Sequence, residues 1–264
     1  MIGLELQTVD LQVTDGVAWI TLNRPDALNA WTTELGRELG TALDHVAEDP
    51  EVRAMVFTGS GRAFSSGADL KNRAESEEAM DVQTALRKIY NPVILRVRTI
   101  PKPVIAAVNG PAVGIGASLA LACDLIVASE SAYFLMAFVN IGLTLDGGAS
   151  HTLPVRVGHA RAFEIAYLGE RISAAQALEW GLVNRVAPDG ELRGAVGELA
   201  ARLAAGPPGS YAAIKRSINA RAYAEFDQAL DLEAELQQQR AESRDFGEGV
   251  MAFLEKRKPQ FTGN

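Results

Sequence analysis

Two segments rich in small residues have the composition of ligand-binding loops. The first runs from Gly61 to Lys71 as GRAFSSGADLK, and the second runs from Asn109 to Ala117 as NGPAVGIGA. Each follows a predicted buried strand and leads into a predicted helix. Glycine lets the backbone approach a ligand closely, and the first turn of a helix offers N–H groups without a partner inside the helix. Side by side, the two segments could direct two backbone N–H groups at one oxygen, which is the geometry of an oxyanion hole.

Two other interpretations of these segments stay open. Many strand-to-helix loops are rich in glycine only because the connection is tight. Gly114-x-Gly116 after a strand also matches part of the dinucleotide-binding fingerprint, but Leu119 stands where that fingerprint has its third glycine. The incomplete match disfavours a nicotinamide site.

The other residue types that often carry chemistry form no recognised constellation. Ser150-His151 lacks the Gly-x-Ser-x-Gly elbow of serine hydrolases, and His45, His151 and His159 lack the spacing of zinc ligands. We therefore predict no metal site. Cys123 is the only cysteine, so an intrachain disulfide is excluded, and its apolar surroundings indicate a packed thiol.

Strands and helices that alternate along most of the chain must position these loops. Ala54–Thr58 and Val104–Val108 read as buried strands directly before the two small-residue segments. The alternation continues to about Pro188, and only helices are predicted after it. This order indicates an α/β core at residues 1–200 and a helical C-terminal region at residues 201–264.

Three local patterns give sharper predictions. Leu11–Thr14 and Val17–Leu22 flank an Asp-Gly dipeptide, which is typical of a β-hairpin. Ala79–Val97 is predicted to be helical, with a kink or break at Asn91-Pro92 because proline cannot continue a helix without distortion. The last strand is predicted at Leu182–Val186.

Composition and charge exclude several classes of partner. The 264 residues include 25 Lys and Arg and 33 Asp and Glu, for a formal net charge of −8. A chain with this charge is a poor general binder of nucleic acid or of an anionic membrane. The longest apolar runs are far too short to span a bilayer, and Met1–Asp10 lacks the basic region of a signal peptide. With a single cysteine, these features favour the cytoplasm.

A series of motifs along nearly the whole chain resembles the crotonase (enoyl-CoA hydratase/isomerase) superfamily. They are LNRP and ALNA within residues 22–30, AF and SGADL within residues 63–70, PKPVIAAVNG at residues 101–110, ACD at residues 122–124 and FLEKRKP at residues 253–259. Their order and spacing together are specific. The resemblance implies an α/β fold made of a spiral of ββα units with a helical C-terminal trimerisation region. It also implies homotrimers or hexamers.

The same resemblance implies a role for individual residues. The backbone N–H groups of Ala68 and Ile115 would form the oxyanion hole for the thioester oxygen of an acyl-CoA. Coenzyme A would enter as part of this substrate, and no separate cofactor is expected. The residues expected near coenzyme A are Arg24, Ala27, Ala68, Asp69, Leu70 and Lys71, and Lys258 and Phe261 are expected to reach it from a neighbouring subunit.

The chain departs from the family at the acid–base positions. Hydratases of this family use two glutamates around a water, and these align with Ser118 and Phe138. An unperturbed hydroxyl is far too weak an acid or base to replace a carboxylate, and Phe138 would make one wall of the pocket apolar. The departure argues against ordinary two-carboxylate hydration. The acyl pocket is expected to include Met80, Met136, Phe138 and Val139, whose types leave the acyl group open.

Asp146 is the remaining candidate for proton transfer. It lies in LTLDGGA, which is similar to the Leu-Val-Pro-Asp-x-Gly-Gly stretch of the family's phenylacetate-pathway ring isomerases, with Leu145 in place of the proline. In those enzymes the aspartate handles protons. The alternative is that Asp146 is only the N-cap of the helix that begins near Gly148.

These residues are consistent with four functions. The first is isomerisation of a double bond or a ring in an acyl-CoA, with Asp146 moving the proton. The second is hydration of an enoyl-CoA with unusual acid–base groups, such as a water held by Ser118. The third is binding of acyl-CoA without catalysis, and the fourth, least favoured, is attack of Asp146 on an aryl-CoA.

Overall fold

The structure of the chain is a computed structural model that describes residues 5–70 and 81–264. Lys71 and Met80, both named above as candidate site residues, lie outside the described residues. None of the helices in the described ranges is long and apolar enough to cross a membrane.

The main sheet has six strands in the order β1-β2-β3-β4-β6-β9. β1 and β2 are antiparallel, and the other neighbours are parallel. The turn between β1 and β2 has Asp15 at φ 51° and Gly16 at φ 76°. Two left-handed residues are typical of the turn that an Asp-Gly dipeptide favours, so the predicted hairpin is confirmed. The strands are β1 (Val9–Thr14), β2 (Val17–Leu22), β3 (Ala54–Gly59), β4 (Val104–Val108), β6 (Leu125–Ser129) and β9 (Arg185–Ala187).

A second sheet has three short strands in the order β5-β7-β8. These are β5 (Ala112–Val113), β7 (Tyr133–Leu135) and β8 (Ile172–Ser173). β5 follows β4 directly, so the second small-residue segment passes from the main sheet to the small one.

Helices surround both sheets. Those within the first two-thirds of the chain are α1 (Thr33–Glu48), α2 (Val82–Ala85), α3 (Asn91–Thr99), α4 (Ile115–Ala122) and α5 (Ala149–Leu168). The later ones are α6 (Ala174–Glu179), α7 (Leu192–Ala204), α8 (Pro208–Ala222), α9 (Phe226–Ala241) and α10 (Arg244–Leu254).

The two faces of the main sheet have different partners. Successive side chains of a strand point to opposite faces. Val56 and Ile105 therefore pack with Val196 of α7 on one face. Phe57 and Ala106 belong to the larger core on the other face. α7 crosses the predicted boundary at residue 200, and the division into residues 1–200 and 201–264 stays a prediction.

Two local predictions are corrected. The kink or break predicted at Asn91-Pro92 is replaced by an irregularity that lies just before it: a π-helical turn at Leu86–Tyr90, after which Pro92 lies in the first turn of α3. Proline is tolerated there because the first N–H groups of a helix lack intrahelical partners. The last strand begins at Arg185, because the N–H groups of Leu182 and Val183 donate to the Ala177 carbonyl oxygen at the end of α6.

Candidate active site

The two small-residue segments lie side by side. An isolated parallel β-bridge joins Ser65 and Ala112. Ser65 N donates to Pro111 O at 3.0 Å, and Val113 N donates to Ser65 O at 2.9 Å. Ala68 and Ile115 each come three residues after a partner of this bridge, so the two segments reach them in the same register.

Two glycines permit this close approach. Gly67 has φ 92°, and a Cβ atom there would lie 3.1 Å from Val113 O. Gly114 has φ 52°, and a Cβ atom there would lie 3.8 Å from Gly67 Cα. A side chain at Gly67 or Gly114 would adopt an unfavourable backbone conformation and would crowd the facing loop.

The direction of the Ala68 N–H follows from its peptide bond. Trp31 N donates to Gly67 O at 2.8 Å, and Asp69 N donates to Trp31 O at 2.9 Å. The C=O and N–H of one trans peptide point in opposite directions. The Gly67 carbonyl points at Trp31, so the Ala68 N–H points away from Trp31. Ala68 is exposed, and no described atom accepts this N–H.

The Ile115 N–H is directed by the same geometry. Gly114 O accepts from Ser118 N at 3.0 Å and therefore points into α4. The Ile115 N–H points out of the first turn of α4, at the positive end of the helix dipole. It has no acceptor among the residues that the structure describes. Two adjacent loops thus each carry one unpaired N–H at the same register, which is what an oxyanion hole requires.

Asn29 organises the first of these loops. Its side chain is buried, its Oδ1 accepts from Arg24 N at 2.9 Å, and its Nδ2 donates to Ser60 O and Ala63 O at 2.9 and 2.8 Å. Sequence reasoning missed this role of Asn29, which it placed only within the ALNA motif. The signal for this role was a polar residue inside an otherwise apolar ALNA motif.

Arg24 follows strand β2, and its side chain reaches the same loop. Its Nη2 lies 3.0 Å from Asp69 Oδ2, and its Nη1 donates to Ala30 O at 2.5 Å. Ala27 O accepts a hydrogen bond from Ser66 Oγ at 3.3 Å. Of the residues predicted near coenzyme A, Arg24, Ala27, Asp69 and Leu70 thus belong to one structure with Ala68.

The predicted tail residues are held differently. Phe261 is exposed, and Lys258 is also on the surface. The tail folds back on α10, where Asp245 Oδ1 accepts from Thr262 N at 2.7 Å. The contribution of Lys258 and Phe261 to a neighbouring subunit stays a prediction.

Asp146 lies against the first turn of α4. Ser118 Oγ donates to the backbone oxygen of Asp146 at 2.8 Å. A Cβ atom at Gly147 would lie 2.7 Å from both Ile115 Cδ1 and Ser118 Cβ. The turn that carries Asp146 is therefore packed beside the Ile115 end of the oxyanion-hole geometry.

The Asp146 carboxyl is buried and only half bonded. Its Oδ2 accepts from Gln237 Nε2 at 3.3 Å, and its Oδ1 has no hydrogen-bond partner in the described ranges. Burial raises the pKa of this carboxyl well above its ordinary value, and the charge of Glu233 raises it further, whereas the Gln237 hydrogen bond opposes the increase. A carboxyl with one unbonded oxygen and a raised pKa is a stronger base when ionised than an ordinary carboxylate, which suits it to accept and return a proton.

Asp146 does not cap the helix, so the alternative role given to it above is wrong. α5 begins at Ala149, and its N-terminus is bound by Glu233 of α9. Glu233 Oε2 accepts from Gly148 N at 2.6 Å, and Oε1 accepts from Ser150 N at 2.7 Å. The Asp146 carboxyl makes none of the capping hydrogen bonds, and its Oδ1 atom has no partner among the described residues.

Sequence reasoning missed both Glu233 and Gln237. They follow Phe226 and Leu230 at helical spacing, and all four side chains are buried on α9. A charged residue and an amide on the apolar stripe of a helix were the available signal, since buried polar side chains require partners.

The two positions that align with the hydratase glutamates are not arranged for hydration. Ser118 is completely buried, and its hydroxyl donates to the backbone of Asp146. Phe138 is buried, and its ring would lie 3.7 Å from a Cβ atom on Gly114. The side of the candidate site that Phe138 forms next to Gly114 is therefore apolar.

Comparisons with known proteins agree with the geometry. The profile of the family described as enoyl-CoA hydratase/isomerase matches residues 12–264. A probable enoyl-CoA hydratase of Rhodobacter capsulatus is 44% identical over 260 residues, which cover 98% of this chain and 100% of that protein. The 1,2-epoxyphenylacetyl-CoA isomerase of Escherichia coli is 43% identical over 253 residues, covering 95% and 97%. A crystal structure of an enoyl-CoA hydratase from Mycobacterium avium subsp. paratuberculosis matches with a TM-score of 0.89 and 41% identity over 97% of this chain and 99% of that one.

The α/β fold expected from the resemblance is confirmed by these matches. The family profile matches the sequence, and the crystal structure matches the fold. The chain belongs to the enoyl-CoA hydratase/isomerase family of the crotonase superfamily.

Proposed function

We propose that the protein isomerises a double bond or a ring in an acyl-CoA, with Asp146 moving the proton. The proposal rests on one observation: a buried carboxyl with an unbonded oxygen lies in a turn packed against the Ile115 end of α4, and the Ile115 loop lies beside the Ala68 loop. The relative in Escherichia coli that is named an isomerase lends support through 43% identity over nearly the whole chain.

The reaction has two balanced steps. The ionised Asp146 takes a proton from a carbon next to the thioester or conjugated with it, and the electron pair moves onto the thioester oxygen. The N–H groups of Ala68 and Ile115 stabilise the resulting enolate. Protonated Asp146 then returns the proton to a different carbon, so the product has the composition of the substrate.

Coenzyme A binding is proposed on the Arg24 side of the first loop. Arg24, Ala27, Asp69 and Leu70 lie on or beside the segment that holds Ala68. The Arg24 guanidinium, which is paired with Asp69 Oδ2, provides a cationic group for an anionic ligand on a chain whose net charge is −8.

Hydration of an enoyl-CoA is the second candidate, because a relative 44% identical to the chain is named a probable enoyl-CoA hydratase. Two features make it weaker. The Ser118 hydroxyl donates to Asp146 O, and Phe138 supplies no acid or base. One carboxyl near the hole is better suited to move one proton than to activate a water and protonate a carbon together.

Product analysis in deuterated water tests the proposal. A panel of enoyl-CoA isomers is incubated with the protein and followed by mass spectrometry and NMR. Isomerisation moves the double bond and adds no mass beyond the deuterium that enters when the proton on Asp146 exchanges with solvent, whereas hydration adds the mass of one D2O. Unchanged substrate throughout the panel would contradict catalysis on these compounds and favour a protein that only binds acyl-CoA.

Asp146→Asn tests the residue. We expect kcat to fall at least about a hundredfold, the lower end of the range for general acid–base catalysis, with KM little changed. Ser118→Ala is the matched comparison at the hydratase position and should retain most activity. Full activity in Asp146→Asn together with loss in Ser118→Ala would contradict the isomerase and favour the hydratase.

A further inference from the structure

Helix α9 buries two polar side chains close to each other in the core. Glu233 and Gln237 lie one turn apart and are 3% and 1% exposed. Leu232 and Leu236, their neighbours on the same helix, are 55% and 38% exposed. The helix thus buries a carboxylate and an amide and exposes leucines, which is costly unless the buried groups have partners.

The partners of Glu233 are at the start of α5. Both carboxylate oxygens accept backbone N–H groups, from Gly148 and Ser150. Gly148 has φ 77°, and a Cβ atom there would collide with the Phe226 ring. A side chain at Gly148 therefore cannot cap α5. The cap comes from α9 and ties the turn after Asp146 to that helix.

Gln237 binds the segment that leads up to Gly147. Its Nε2 donates to Thr144 O at 2.7 Å and to Asp146 Oδ2 at 3.3 Å. Both hydrogens of the amide are then used. Gln237 fixes one oxygen of the Asp146 carboxyl and leaves the other oxygen free.

We propose that Glu233 and Gln237 are positioning residues that hold the Asp146 carboxyl, and the turn that carries it, for proton transfer. The inference rests on the proposed function of Asp146 and deepens it. It makes α9, a helix of the C-terminal region, part of the acid–base machinery through its hydrogen bonds to Gly148, Ser150 and Asp146.

The two residues have opposite electrostatic effects on Asp146. The charge of Glu233 raises the pKa of the Asp146 carboxyl, and the hydrogen bond from Gln237 lowers it. The pKa of Glu233 is itself raised by burial, an increase opposed by the hydrogen bonds from Gly148 and Ser150 and by the charge of His151. The groups from α4 that face the Asp146 turn, Ile115 and Ser118, carry no charge.

The sign of each variant follows from these effects. Glu233→Gln removes a negative charge near Asp146, so ionisation of Asp146 becomes easier and its pKa falls. Gln237→Met removes a hydrogen bond to the carboxylate, so its pKa rises. A purely structural role would lower stability in both variants but would not move the Asp146 pKa in opposite directions.

The titration of Asp146 can be observed without activity. Infrared difference spectra of each protein against the same protein carrying Asp146→Asn isolate the C=O band of the protonated Asp146 carboxyl. We expect Glu233→Gln to shift the midpoint of this band by about one pH unit or more to lower pH, and Gln237→Met to shift it to higher pH. Glu235→Gln makes the same chemical change at an exposed position of α9 and should leave the midpoint in place.

The pH profile of kcat/KM gives the second readout. Its acidic limb reports the ionisation of the base in the free enzyme. This limb should move to lower pH in Glu233→Gln and to higher pH in Gln237→Met, with KM at the optimum little changed. If Glu233→Gln does not fold, Gln237→Met alone carries the test.

The outcomes separate this proposal from the proposed function. A band midpoint that stays in place in both variants would overturn the positioning role, even in an active isomerase. Opposite shifts in a protein without isomerase activity would support the positioning of Asp146 and contradict the proposed reaction.

Discussion

At the scale of single residues, the site depends on backbone N–H groups that the local geometry leaves without a hydrogen-bond acceptor. The Ala68 N–H is free because the preceding carbonyl, that of Gly67, points at Trp31. No side chain at Ala68 is needed for this role. The substitution that tests it must therefore remove the N–H itself.

Ala68→Pro removes that N–H, and we expect kcat to fall about a hundred- to a thousandfold, the loss that follows removal of one oxyanion-hole donor. The measurement is turnover of the acyl-CoA that wild type isomerises. Since the proline ring can distort the loop, a second variant replaces Ala68 by its α-hydroxy analogue, which substitutes an ester for the amide without a ring. Undiminished turnover in a folded ester variant would remove Ala68 from the oxyanion hole. Circular dichroism and coenzyme A affinity are the controls for folding.

At the scale of elements, the contact between α4 and the first small-residue loop determines the distance between the two N–H groups. Gly116 of α4 faces Ser65 of that loop, and a Cβ atom at Gly116 would lie 2.5 Å from Ser65 Cβ. Ser65 is also bonded, through Oγ at 2.8 Å, to Asn29 O. The loop cannot move away from α4 without loss of this buried hydrogen bond.

Gly116→Ala should therefore lower the free energy of unfolding by about 1–3 kcal/mol, the usual cost of overpacking a core. Turnover should fall as well, because the loops separate. The matched control is Gly194→Ala in α7, where a Cβ atom meets nothing within 4 Å. It should stabilise the protein by about 0.5–1 kcal/mol, since alanine favours the helix over glycine. Urea unfolding of both variants at one protein concentration makes the comparison, and equal stability of the two would contradict the packing argument.

At the scale of the whole molecule, the C-terminal helices expose apolar surface that a single chain leaves uncovered. Eight large apolar side chains between residues 201 and 264 are exposed, and large exposed patches are typical of association surfaces. We propose that these helices cover one another in a homotrimer or a pair of trimers. The exposed side chains are Ile214, Ile218, Leu232, Leu236, Met251, Phe253, Leu254 and Phe261.

The double variant Ile218→Glu and Leu236→Glu should dissociate the oligomer, because it places charges on the surface proposed to be covered. Val13→Glu is the control: it introduces the same charge at an exposed apolar position of edge strand β1, 42% exposed, and should leave the oligomer intact. Light scattering coupled to size-exclusion chromatography measures the mass of each. A wild-type protein with the mass of a monomer would contradict the proposed assembly.

Much of the site could be predicted because its determinants are local. The Asp15-Gly16 turn, the strands before both loops and the glycines at positions 67 and 114 all follow from residue types whose backbone preferences act within a few residues. Asp146 became a catalytic candidate only through the resemblance of its LTLDGGA segment to the family's ring isomerases, since local sequence alone favoured a helix cap.

Only the tertiary structure excluded Asp146 as the helix cap. An aspartate three residues before a helix can be its cap or a free carboxyl, and local sequence allows both. The choice depends on Glu233, which lies 85 residues later in the chain than Gly148 and takes the cap from another helix. It depends also on Gln237, which binds one oxygen of Asp146 and leaves the other free. The pKa of a buried carboxyl depends on the groups that packing brings near it. Those groups can belong to segments far away in the sequence, so only the folded chain identifies them.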